Sequence, residues 1–116
     1  MARARSKKGR LNQVHRWLQA VFPTPYPTAL KVITLPRGDS GDCTRQGRQF
    51  TIRIHNKLLW TSAIEILLHE YAHAISWPMG KLADHEPDHN DAWGLAYAKL
   101  YRAFQEEGGD VESWLY

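Results

Sequence analysis

The stretch from Ser62 to Trp77 constrains this chain most, because an apolar run there is interrupted by two histidines and a glutamate in one pentapeptide, His69-Glu70-Tyr71-Ala72-His73. Ile64, Ile66, Leu67, Leu68, Ala72, Ala74 and Ile75 surround the pentapeptide. Ser62-Ala63-Ile64-Glu65 has the form of a capping box, so a helix is expected to start just after Thr61. Pro78 sets its end near Ser76 or Trp77. A helix this apolar must be buried, and an unpaired imidazole or carboxylate buried with it would be costly. The polar residues therefore need a shared partner.

A metal ion meets that need. Histidines four apart leave a helix on one face with Cβ atoms about 5–6 Å apart, close enough for His69 and His73 to bind one ion. Zinc suits neutral imidazole nitrogen, and a catalytic zinc site takes three protein ligands while keeping a fourth position open. Glu70 sits beside the ligands without replacing either, where it can act as a general base toward a water that the metal acidifies. The third ligand has to come from downstream, where His85, Glu86, Asp88, His89 and Asp91 are the candidates. His89 is the choice, because it immediately precedes a second helix whose apolar stripe would hold it rigidly. His15 and His55 lack such a context and are expected to be structural, as is Cys43. The residues alone thus point to a small zinc metallohydrolase.

The remaining chain divides by periodicity. Leu11, Val14, His15, Leu18 and Val21 or Phe22 predict an amphipathic helix over residues 11 to 22, ended by the proline-rich stretch 23–27. Residues 30–35 and 49–55 read as strands, the second alternating Phe50, Ile52 and Ile54 with Thr51, Arg53 and His55. Pro36 to Gly47, rich in Gly, Asp and Ser, reads as a long hairpin loop or irregular connection. A last helix is expected from about Asp91 to Glu107, with Trp93, Tyr97, Leu100, Tyr101 and Phe104 as its core stripe and Gly108-Gly109 as its stop. The fold class is therefore α+β.

At 116 residues with 43% hydrophobic content, the chain has the size and composition of one globular domain. Cys43 is the only cysteine, which excludes an internal disulfide or a cysteine-based zinc cluster and fits a reducing, intracellular (cytoplasmic) home. No run approaches the ~20 apolar residues of a membrane span, and no apolar segment of a signal peptide follows the basic N-terminus. Arg3, Arg5, Lys7, Lys8 and Arg10 gather five positive charges in residues 1 to 10, while residues 11 to 116 hold ten basic and twelve acidic side chains. The expected organisation is a basic flexible tail over 1–10 and a single domain over 11–116. Nucleic acid is the partner such a tail would contact, through its phosphates.

The block Leu67-Leu68-His69-Glu70-Tyr71-Ala72-His73-Ala74, followed by His89-Asn90-Asp91-Ala92-Trp93, resembles the SprT-like zincin metalloproteases. That family pairs HExxH with a downstream histidine that has an aromatic residue four positions later. The resemblance covers about residues 48 to 104, and Asn90 departs from it, standing where the family often has a small residue such as Gly. It implies a minimal zincin-like fold, with a small sheet packed against the HExxH helix and a C-terminal helix. It also implies Zn²⁺ held by His69, His73 and His89, Glu70 as general base, and a protein or peptide substrate, often close to DNA. On that reading Gln49 to His55 is expected to be the edge strand that aligns an extended peptide. The alternative is a zinc-containing, DNA-associated binding or regulatory module with little general protease activity.

Overall fold

Phe50, Ile52 and Ile54 alternate with Thr51, Arg53 and His55, and this period of two forms the middle strand of a three-stranded sheet in the computed structural model, which describes residues 6–78 and 89–108. The elements are α1 (Lys7–Val21), β1 (Thr28–Ile33), β2 (Gly41–Gln46), β3 (Gln49–His55), α2 (Trp60–Ile75) and α3 (Asp91–Ala103), with a π-helical turn over Phe104–Gly108. The strand order is β1-β3-β2, with β1 parallel and β2 antiparallel to β3. The expected α+β fold is the fold observed.

Side chains of paired residues share a face of the sheet. Cys43, paired with Ile52, joins Phe50, Ile52 and Ile54 on the buried face. Ala63, Leu67 and Ala74 of α2 and Leu11, Val14 and Leu18 of α1 belong to the same core. The opposite face carries Lys31, Arg53 and Asp42 in one cross-strand row, with Arg53 Nε donating to Asp42 Oδ1 at 2.8 Å.

Four expectations are corrected. The connection from Pro36 to Gly47 contains a strand, β2, that the sequence reading missed. Its residues are mostly polar with only Cys43 fully buried, so the alternation that marks a half-buried strand is weak, and the ladder to β3 holds it in place. The hairpin closes across Gly47-Arg48, with Gly47 at φ 61, a left-handed conformation that tight hairpin turns demand. Because β2 and β1 flank it, β3 is not an edge strand, and Gln49–His55 offers no free backbone edge to a peptide.

The other two corrections concern helix starts. α2 begins at Trp60, with Leu59 as a cap that makes no side-chain hydrogen bond, so Ser62 lies inside the first turn rather than at its start. The Arg10 guanidinium sits over the Trp60 ring at 5.2 Å, a tertiary contact that favours the earlier start. α1 begins at Lys7 rather than Leu11, because Ser6 Oγ accepts from Gly9 N at 3.1 Å and caps it. Lys7, Lys8 and Arg10, expected in a flexible tail, are thus in a helix, and Lys7 Nζ donates to Asn56 O at 2.7 Å. No helix among the described residues is long and apolar enough to cross a membrane.

Candidate metal centre

His69 and His73 project from α2, the first half-buried and the second fully buried, and their ring centroids are 5.2 Å apart. The buried faces of α2 fix this helix in place. Tyr71, between the two histidines but on another face, donates its hydroxyl to Phe22 O at 2.7 Å and so ties α2 to the end of α1. Burial pushes the Tyr71 phenol up to about 12, so it remains a donor.

His89 arrives from outside α2. It precedes α3, whose N-cap is Asn90: the side-chain oxygen of Asn90 accepts from Trp93 N at 3.0 Å. Asn90 therefore has a local role, starting the helix beside the histidine it follows. Trp93 Nε1 donates to His69 O at 3.2 Å, which fastens α3 to α2 at the level of the histidines. The Trp93 ring lies 4.9, 5.5 and 4.5 Å from the rings of His69, His73 and His89.

As a result, one ligand atom from each of His69, His73 and His89 lies within 4.8 Å of the others. His69 Nε2 and His89 Nε2 are 3.0 Å apart. Two nitrogens bound to one tetrahedral zinc at ~2.0–2.1 Å would be about 3.3 Å apart, so the His69–His89 pair stands near ligand spacing, and the set of three, held within 4.8 Å, would draw in around such an ion. His89 is exposed, which leaves one side of the cluster open to solvent. Glu70 stands outside the cluster and is only 4% exposed.

Beside Glu70 runs the start of β2. A Cβ added at Gly41 would lie 2.5 Å from Ile66 Cγ2, 2.8 Å from Arg53 O and 3.6 Å from Glu70 Cγ. Only a glycine lets the strand lie this close to Ile66 of α2 and to the Arg53 carbonyl of β3, whereas toward Glu70 the same Cβ would make an ordinary contact. Tyr97 of α3 has its ring 6.0 Å from His69 and stacked on Trp93 at 5.2 Å. Its phenol is raised, chiefly by burial and then by the carboxylate of Glu65 and by Tyr101.

Of the residues singled out in the sequence, His69, His73 and His89 are brought together. Asp91 is an exposed residue in the first turn of α3 and is not part of the cluster. His85, Glu86 and Asp88 lie outside the described residues. His15 and His55 have structural partners: His15 Nε2 meets Thr28 Oγ1 at 2.7 Å, and His55 Nδ1 accepts from Leu35 N at 3.0 Å. Cys43 is buried in the core. Sequence reasoning missed Gly41, which no motif marks, and it treated Tyr97 only as core packing. Comparison of the chain with protein families, with curated proteins and with solved structures finds no match.

Proposed function

We propose that this chain is a zinc-dependent metallopeptidase that hydrolyses peptide bonds with Glu70 as general base. The observation that carries the reading is the convergence of His69, His73 and His89 within 4.8 Å, with Glu70 buried next to His69 on the same helix. The resemblance of these residues to the SprT-like zincins favours a peptide or protein substrate. A zinc ion in the centre would supply Lewis acidity, polarising the scissile carbonyl and lowering the pKa of a water molecule. His69, His73 and His89 would hold it through imidazole nitrogen. Glu70 accepts the proton of the attacking water and returns it to the departing amine nitrogen, so the carboxylate is regenerated in each turnover.

The substrate path runs over α2 between the β2 strand, which comes against Glu70 at Gly41, and the Trp93 and Tyr97 rings of α3. With β3 enclosed, β2 is the strand near Glu70 whose edge is open among the described residues, and it replaces Gln49–His55 as the backbone that would align an extended peptide. The lone Cys43 favours a reducing, cytoplasmic setting.

A second reading, a zinc-containing module on nucleic acid with little general protease activity, draws on a groove of about 400 Å³ on the uncovered face of the sheet. Lys31, Thr44 and Thr51 line it from that face, and Lys31 has no acidic partner among the described residues. Together with the basic N-terminus they offer phosphate contacts.

A peptide-library digest read by mass spectrometry, on wild type and Glu70→Gln with zinc measured on both, separates the readings. A peptidase loses about 10²–10⁴-fold in hydrolysis while keeping its zinc. A wild-type protein that binds zinc and cleaves nothing ends the first reading, and equal rates for both proteins end the assignment of Glu70.

A further inference from the structure

Away from the histidines, between α2 and the C-terminal end of α3, lies a cavity of about 200 Å³. Ile64, Leu68 and Phe104, all buried, give it an apolar floor. Tyr101 supplies an aromatic wall, and the exposed Glu65 brings a carboxylate to the rim. No basic side chain among the described residues pairs with that carboxylate. Such a cavity offers three things to a guest: apolar contact for a stem, a ring face for a cation, and one negative charge.

We infer that this cavity is a subsite for a lysine or arginine side chain of an extended peptide, its stem on Ile64 and Leu68 and its charge between Glu65 and Tyr101. The match is one of charge and shape. An acidic side chain would meet the Glu65 carboxylate, and a purely apolar one would leave that carboxylate covered without a counter-charge. The cavity is connected to the metal centre by ring contacts, since the Tyr97 ring is 6.0 Å from both His69 and Tyr101. Glu65 also precedes His69 by one helical turn, a rise of about 6 Å, which an extended peptide covers in roughly two residues. Only this last step rests on the peptidase reading: it sets the basic residue roughly two to three positions from the cleaved bond, always on the same side.

The test has a binding arm and a cleavage arm. In the first, the Glu70→Gln protein is titrated by calorimetry with the capped pentapeptides Ala-Ala-Arg-Ala-Ala and its citrulline counterpart, which is isosteric but uncharged. The arginine peptide should bind about five- to tenfold more tightly. Adding Glu65→Gln should erase the difference, Glu65→Lys should turn the preference toward a glutamate peptide, and Tyr101→Leu should reduce it. Equal binding of the two peptides, or a preference that survives Glu65→Gln, overturns the subsite. In the second arm, the wild-type library digest should enrich Lys or Arg at one fixed position. Cleavage with no basic preference overturns the subsite and leaves the peptidase standing. Charge-dependent binding without any cleavage supports the subsite and overturns the peptidase.

Discussion

His15 and His73 are both imidazoles shut away from solvent, one in α1 against the start of β1 and the other in α2 facing His69 and His89. Around His15 a single hydroxyl is enough. Thr28 takes its Nε2, the Tyr71 ring meets its edge at 6.2 Å, and the corner between helix and sheet is closed. Around His73 two more imidazoles converge, from α2 and from the start of α3. The same side chain at the same depth is a joint in one region and part of a donor set in the other. What separates them is the number of nitrogens that meet, not burial.

The strongest way to break this comparison is to remove each histidine in turn. His73→Ala should abolish tight zinc binding, while His15→Ala should keep about one zinc per folded chain, with metal content and chelator competition as the measurements. Comparable loss in both would mean that the centre depends on the whole core rather than on its own ligands. A smaller effect sharpens the contrast from the other side. Thr28→Val leaves the buried His15 nitrogen without its partner and should cost about 1–3 kcal/mol in denaturant unfolding, with zinc content unchanged.

The smallest effect is one of pH. Burial, and then the charge of Arg16, hold the His15 pKa below its ordinary value; Thr28 and the Tyr71 ring face it from the neighbouring elements. The unfolded chain therefore binds a proton at this site at a higher pH than the folded chain does. The stability contributed by neutral His15 is complete above the unfolded value of about 6.5 and is lost as pH falls below it. Melting curves of wild type and His15→Gln from pH 7.5 down to 5 should converge on acidification, and a constant gap between them would contradict the assignment.

Much of this was legible because periodicity and pairing coincide. The strict alternation in β3 and the stripe on α3 survived because both elements bury one face, and His69-Glu70-Tyr71-Ala72-His73 carries its own geometry in the four-residue interval. β2 was not legible, since an edge strand can take its stability from ladder hydrogen bonds that leave little trace in residue type. Gly41 was invisible for a related reason: its role depends on Ile66 and the Arg53 carbonyl, which only the folded chain brings near. The early starts of α1 and α2 were set by a serine cap and by a cation on a ring rather than by the apolar pattern.

The strand order has a kinetic consequence. Among the described residues the middle place in the sheet belongs to the last strand, so neither outer strand has its neighbour until β3 exists. β2 reaches it across two residues, a closure on the scale of microseconds, whereas fifteen residues separate the end of β1 from the start of β3. The hairpin therefore assembles first and offers β1 a ready edge, and the sheet grows from its centre outward. In refolding experiments, substitutions within the hairpin should slow folding, while those in β1 should mainly speed unfolding; the reverse partition would mean that the parallel pair forms first.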